Sequence, residues 1–384
     1  MKKFETLYLH IGTRKTGTTV IQNYCRDNKE LLMENGILYP TSDLVMKHDA
    51  SNHHLLFRSK TDDFSEIRQE ILANKNTAKV CLISSELLED INRDPRRTKE
   101  LCGLAKKVKV IVYLRRQESY LESSFCQKIK LQDFKSTIDE HGGDICLDYS
   151  ILLEFWSEMV GKENVIVRPY EKGQFVNGNI FDDFLNIFGL KNSEGFKVLK
   201  SFTNPSLDLG ALEFKRVLNY LGLTKSISFK TAKVLEKRAL NLGKNKAFSD
   251  HGILTTKEKL NYIKKYEESN NSIAKEFLKT EILFKVELPK ISDADIEQKI
   301  DFLCDKTIKD IVDYLIKENP ELVSNLIIYL QVYLKYFAED SYVIEKMQLI
   351  LDALIVGSVD PKAIFIKEFF RRRKVYSRMK KKLI

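Results

Sequence analysis

The stretch Leu7-Tyr-Leu-His-Ile-Gly-Thr-Arg-Lys-Thr-Gly-Thr-Thr19 sets two glycines, four threonines and an Arg-Lys pair behind a short apolar run. Residue types of this kind hold anions. Leu7, Leu9 and Ile11 alternate as a strand does, Gly12 and Gly17 free the backbone for a tight turn, and Val20, Ile21 and Tyr24 open a helical apolar stripe. A strand-to-helix turn aims backbone N–H groups and the positive end of a helix dipole at a ligand, which suits a phosphate. A second run, Val108-Lys-Val-Ile-Val-Tyr-Leu-Arg115, reads as a buried strand feeding a turn and a helix over Arg116-Gln-Glu-Ser-Tyr-Leu-Glu-Ser-Ser-Phe125. Candidates for proton transfer are the imidazoles of Asn52-His53-His54, whose ordinary pKa lies near working pH, and Glu86, which follows the strand pattern Val80–Ser84.

The place of the lysine narrows the anion. A nucleoside-triphosphate P-loop reads G-x-x-x-x-G-K-[ST], with Lys directly after the second Gly. Here Thr18 stands in that place, and Lys15 lies two residues before Gly17. The order Lys-Thr-Gly-Thr-Thr resembles the 5′-phosphosulfate loop of sulfotransferases that use 3′-phosphoadenosine 5′-phosphosulfate (PAPS). Other segments resemble bacterial members of that family acting on surface carbohydrates: Asn52-His-His-Leu55, Ser84-Ser-Glu86, Val165-Ile-Val-Arg-Pro-Tyr-Glu171, Asp183-Phe-Leu185 and Asn204-Pro-Ser-Leu207. The resemblance spans roughly the first 220 residues.

What the resemblance implies can be carried residue by residue. Arg14, Lys15, Thr16, Gly17, Thr18 and Thr19 would bind the 5′-phosphosulfate, with Lys15 stabilising charge on the bridging oxygen and Arg14 either a second cation or solvent-facing. Arg115 and Ser123 match an Arg at a strand end and a Ser eight residues later that bind the 3′-phosphate, where a guanidinium pairs well with a dianion. Arg116 and Ser124 keep the same spacing, so the register is open by one residue. The family takes the acceptor proton with a His or a Glu, which gives His54, then Glu86, then His53 as the order of candidates. His10, inside the first strand, is expected to orient the loop or pack beneath it.

The implied reaction moves a sulfuryl group from PAPS to a hydroxyl, or second to an amine, of a carbohydrate or lipid-linked glycan. Transfer is in line, with positioning and charge stabilisation doing most of the catalysis, by analogy with phosphoryl transfer. No metal is expected: there is no His-Glu-x-x-His, no Cys cluster and no carboxylate run with ligand spacing. Two other classes stay open. A small-molecule P-loop kinase is opposed by the misplaced lysine and the lack of a clear Walker-B strand ending in Asp. A non-catalytic glycan-binding relative would have kept the fold and lost the activity.

These residues need a scaffold, and hydrophobic periodicity supplies one. Strand patterns at 6–12, 79–84, 108–114 and 164–169 alternate with helical patterns at 19–34, 64–74, 97–106, 117–131 and 149–160. That alternation predicts an α/β fold, a P-loop-like parallel β-sheet flanked by helices, with ligands at the carboxyl ends of the strands. Further helices are expected at 178–188 and 206–222, the latter with Leu207, Ala211, Phe214, Val217, Leu218 and Leu221 as core. Beyond residue 225 long helical patterns dominate, especially 293–317, 321–337 and 340–355. The expected organisation is therefore a PAPS-binding α/β domain at 1–224, an all-α C-terminal extension at 225–362 and a basic amphipathic tail at 363–384. The acceptor pocket is expected from 41–60 and 128–148, which are polar and irregular.

Charge and composition bound the partners. The 384 residues carry a net charge of +9, but nine Lys or Arg and one Glu fall within 367–384, so the body is nearly neutral and a nucleic-acid partner is not expected. In the tail, Phe365, Phe369, Tyr376, Met379 and Leu383 stand at helical spacing, a pattern suited to an anionic membrane surface or to a frayed, solvated end. Met1-Lys-Lys-Phe-Glu offers no apolar signal region, no 18-residue apolar run occurs, and the six cysteines form no Cys-x-x-Cys pair. A cytoplasmic protein with reduced thiols is expected, peripheral at the inner membrane surface if the tail docks there.

Overall fold

The run that precedes the glycine loop is apolar on both sides, as a central strand covered on both faces must be. In the computed structural model, which describes residues 4–42, 45–47, 50–57, 64–90, 94–191, 193–198, 206–243, 252–287, 301–337, 341–357 and 375–381, it forms β1 (Phe4–Gly12). The other strands are β2 (Ile37–Leu38), β3 (Val45–Lys47), β4 (Ala50–Asn52), β5 (Val80–Ser84), β6 (Ala105–Leu114) and β7 (Val165–Pro169). Five of them make one parallel sheet in the order β2-β5-β1-β6-β7, and β3 and β4 pair as a short antiparallel ribbon.

The helices that follow in chain order up to residue 190 are α1 (Thr18–Asp27), α2 (Lys29–Glu34), α3 (Ser65–Ala73), α4 (Pro95–Cys102), α5 (Gln117–Leu131), α6 (Ile138–Asp144), α7 (Tyr149–Val160) and α8 (Ile180–Asn186). The single helix expected over 19–34 is two, separated at Asn28, whose side-chain amide donates to the carbonyls of Tyr24 and Lys197. Alternation within β1 divides the core. Leu7, Leu9 and Ile11 pack with Ile67, Leu101 and Trp156 from α3, α4 and α7, while Tyr8 packs with Ile21, Tyr24 and Phe184 from α1 and α8.

This division fixes where a ligand can sit. The chain leaves β1 through α1 on one face, and it travels between β6 and β7 by way of α7 on the other. Neighbouring parallel strands whose connections depart to opposite faces leave a crevice at their carboxyl ends. Gly12 ends β1 and Arg115 follows β6, so both sequence motifs meet at that crevice.

The chain separates into two compact units whose segments interleave. The first contains residues 1–120, 146–203 and 258–290, and the second 121–145, 204–257 and 291–384, in place of a contiguous break at 224/225. The first unit thus also includes α11 (Thr256–Ile273) from residue 258 onward, and Ile273 and Ala274 join its core. The second unit is helical: α9 (Leu209–Asn219), α10 (Lys225–Asn241), α12 (Asp305–Glu318), α13 (Pro320–Tyr336) and α14 (Ser341–Gly357). Leu207, Ala211, Phe214, Val217, Leu218 and Leu221 are buried in its core as their spacing predicts. The helix expected at 293–317 begins at Asp305, after an N-cap at Cys304, and its earlier portion 293–300 lies outside the described residues.

Residues 375–381 are helical, and Met379 is fully buried in the second unit's core. Tyr376 packs on Tyr336 and Phe337, with ring centroids 4.9 and 5.7 Å away. Of these two side chains, read from the sequence as part of an amphipathic face, Met379 is a core residue and Tyr376 is partly buried against that core. Phe365, Phe369 and Leu383 lie outside the described residues. Among the described residues no helix is long and apolar enough to cross a membrane.

Candidate active site

The loop between β1 and α1 is built as an anion cradle. Thr13 anchors it to the neighbouring strand, its N–H and hydroxyl both donating to the Tyr113 carbonyl at 3.2 and 3.1 Å, and the Thr16 hydroxyl donates back to the Thr13 carbonyl. Three residues turn left-handed: Gly12 at φ 93°, Lys15 at φ 66° and Gly17 at φ 75°. For Lys15 this conformation costs about 1–2 kcal/mol, the kind of local strain that persists where surrounding structure enforces it. Helix α1 then begins at Thr18 with no side-chain cap and no acidic residue in its first turn. Its leading N–H groups and its dipole are offered to a negative ligand. Thr16 and Thr18 are buried, Lys15 and Gly17 half-buried, and Thr19 exposed.

Arg115 joins this loop from β6. Its Nη1 donates to the Lys15 carbonyl at 3.1 Å and its Nε to Ser119 Oγ at 2.8 Å, while Tyr149 OH donates to the Arg115 carbonyl at 2.6 Å. The hydroxyl that Arg115 meets is thus four residues on, one helical turn along the chain. Ser119 lies on the first turn of α5, beside the strand end. Ser123 is buried one turn further along, in the stretch of α5 that belongs to the second unit. In the other register, Arg116 pairs with Glu118 and the Val286 carbonyl, and Ser124 with His141 at 3.1 Å.

The third strand end, that of β5, brings in the titratable groups. His54 Nε2 lies 2.9 Å from Glu86 Oε2, both side chains being mostly but not wholly buried. Burial alone would push the Glu86 carboxyl up. Hydrogen bonds from His54, Thr18 and Gln22 outweigh it and hold the group at about 2. Glu86 is thus an anion at neutral pH, and the proton shared with His54 sits on Nε2, which leaves Nδ1 as the basic nitrogen of the ring. Glu86 also lies against the loop, since a Cβ on Gly12 would come 3.4 Å from its Cγ.

The other two histidines are excluded from proton transfer by their surroundings. His53 is fully buried; its Nε2 donates to the Pro40 carbonyl at 3.0 Å and its Nδ1 accepts from the Ser84 N–H at 3.1 Å. Burial pushes its pKa down to about 4, so it is neutral and both ring nitrogens are used. The expectation that placed His53 third as a base gives way to a structural role. His10 is likewise buried and lowered to about 4, packs edge-on against Tyr113 and Phe184, and meets Ser84 Oγ at 2.8 Å. It is a packed core residue of β1, two positions before Gly12.

Arg14 is half-exposed; its N–H donates to Glu89 Oε2 at 3.1 Å and its guanidinium lies 3.7 Å from the same oxygen. Ser119 and Gln22 were not singled out by sequence reasoning. The signal for Ser119 was its place four residues after Arg115, one helical turn. Gln22 carries no such signal, being an ordinary helix residue until the sheet is present. Among the described residues, no three His, Cys, Asp or Glu side chains gather in a way that could hold a metal ion.

Comparison with known proteins adds little to this geometry. No family model matches the chain. A protein of Archaeoglobus fulgidus, itself named only as an uncharacterized protein, is 26% identical over 218 residues. The matched stretch covers 56% of this chain and 56% of that relative, so the chain spans about half the length of the curated relative it matches.

Proposed function

We propose that the chain is a sulfotransferase that moves a sulfuryl group from PAPS to a hydroxyl of a carbohydrate or glycolipid acceptor. One observation carries the reading: an uncapped helix N-terminus behind a left-handed lysine turn, with an imidazole–carboxylate pair on the adjoining strand end. Anion site and base are neighbours. PAPS, when bound, supplies the sulfuryl group and a good leaving group. Thr16, Gly17, Thr18 and Thr19 hold its 5′-phosphate, Lys15 neutralises charge that grows there, and Arg115 faces the 3′-phosphate. His54 takes the acceptor proton on Nδ1, and Glu86, already ionised, stabilises the imidazolium that results. Charge stabilisation by Lys15 and the α1 N-terminus calls for no metal. No two of the six cysteines are joined in a disulfide, in keeping with a reducing compartment such as the cytoplasm.

Calorimetric titration with 3′,5′-ADP, ADP and ATP, each with and without magnesium, tests the reading. Metal-independent binding of 3′,5′-ADP in preference to the other two is expected, with Lys15→Ala retaining most of that affinity and losing transfer. Preference for ATP with magnesium would move the chain to the kinases and overturn the proposal. Binding of none of the three would remove its nucleotide.

A further inference from the structure

Gln22 is fully buried on α1, and its single amide nitrogen serves two acceptors. One is Ser84 Oγ at 3.1 Å, the other Glu86 Oε2 at 3.0 Å. The same Glu86 oxygen receives His54 Nε2 at 2.9 Å. Thr18, one helical turn before Gln22 and on the same face, donates its hydroxyl to the same carboxylate. Gln22 Oε1, by contrast, is buried with no hydrogen-bond partner. The orphan Oε1 is the cost of burying an amide here, and what its Nε2 provides in return is a donor to a mostly buried carboxylate and to the end of β5. Groups retained at such a cost are found where a site needs them.

We propose that Gln22 is a positioning residue: from the anion-binding helix it fixes the Glu86 carboxylate on His54, and so sets which ring nitrogen of His54 is free to accept a proton. Two donors from different elements on one oxygen leave the carboxylate no second orientation in which both are satisfied. The hold on Ser84 Oγ ties the amide to the end of β5, where His53 exchanges two hydrogen bonds with the Ser84 backbone and so seats its neighbour His54. Helix α1 thereby carries both the anion site at its first turn and, at its second, the brace of the proton acceptor. The catalytic consequence rests on the sulfuryl-transfer reading; the effect on the imidazole does not.

The test is made on the full chain by ¹⁵N NMR of its histidine rings at pH 8, without substrate. In the wild type, His54 is expected as the tautomer protonated on Nε2. Gln22→Met, which keeps volume and removes the donor, is expected to convert that signal to a mixture of tautomers, as is Glu86→Gln. Added to Glu86→Gln, Gln22→Met should change His54 no further. Thermal melting of Gln22→Met is expected somewhat below wild type, because Glu86 loses a donor, and unchanged ring signals of the buried His10 and His53 separate lost positioning from lost folding; should Met not fold there, Gln22→Ala reads the same signal. Turnover with PAPS should fall by about 10²-fold, with the KM for PAPS within twofold. Gln22 variants that keep the wild-type His54 signal overturn the proposal. A tautomer shift in a protein that binds no 3′,5′-ADP upholds the positioning and removes the sulfuryl-transfer reading alone.

Discussion

His53 and His54 are one residue type in adjacent positions, and their surroundings give them opposite chemistry. His53 is enclosed and uses both nitrogens on backbone groups, whereas His54 gives one nitrogen to Glu86 and keeps the other. The enclosed pair, His53 and His10, leaves a trace in stability. Each is held at about 4 by burial, below its ordinary value near 6.5, so the unfolded chain binds these protons more readily. Stability from both is therefore full above pH 6.5 and is lost as pH falls toward 4. Each histidine contributes a slope of up to about 1.4 kcal/mol per pH unit. Glu86, held at about 2, acts in the same sense below pH 4.5, and Glu89, which burial pushes up, acts in the opposite sense. Urea denaturation between pH 7 and pH 5 should show the fall, and His53→Gln should make it shallower by one histidine's share. Equal slopes in the two proteins would mean that His53 is charged in the fold. Nothing in Asn52-His53-His54 distinguishes the two imidazoles, because the Pro40 and Ser84 groups that decide between them arrive only when β5 is in place.

At the scale of elements, the β1–loop–α1 unit is where local sequence and tertiary demand agree. Its strand, its turn residues and its helix start are all legible from period and composition, as are β5, β6 and β7, because a buried parallel strand needs an unbroken apolar run. Strands of two and three residues, β2, β3 and β4, carry no period and exist only through their partners. The left-handed Lys15 is hidden for a related reason: Lys has no intrinsic preference for that conformation, and the loop imposes it through Thr13, Thr16 and Arg115. The two glycines of similar φ allow the packing demand to be isolated. A Cβ on Gly17 (φ 75°) would come 2.8 Å from Ile180 Cδ1 and 3.2 Å from the Tyr170 ring, while a Cβ on Gly36 (φ 74°) would meet nothing within 4 Å. Alanine at either site pays the left-handed backbone cost of about 1–2 kcal/mol. Only Gly17→Ala adds overpacking, of order 1–3 kcal/mol. Urea midpoints should rank wild type, then Gly36→Ala, then Gly17→Ala, and 3′,5′-ADP titration should weaken for Gly17→Ala alone. Equal losses in stability and binding would show that the loop has room to move.

At the scale of the molecule, charge and apolar surface at the C-terminus belong to different parts of the argument. The basic residues concentrated at 367–384 account for nearly all of the net charge, so the remainder of the chain has little long-range field with which to attract polyanions. Within 375–381, Arg378, Lys380 and Lys381 are exposed, while Met379 is enclosed with Leu326, Leu330 and Met347 in the helical unit's core. Helical spacing of apolar residues looks the same whether the face meets a lipid surface or the protein's own core, which is why the sequence leaves the two undivided. A lipid-facing Met379 would cost nothing to truncate in water. An enclosed one costs its transfer free energy plus the cavity it leaves, about 2–5 kcal/mol for Met→Ala. Met379→Ala should lower the unfolding free energy measured in urea by that amount, whereas Lys380→Ala, one residue on and exposed, should leave it within about 0.5 kcal/mol. If the two variants melt alike, the 375–381 helix contributes nothing to the helical unit, and its methionine is free to serve a surface outside the chain.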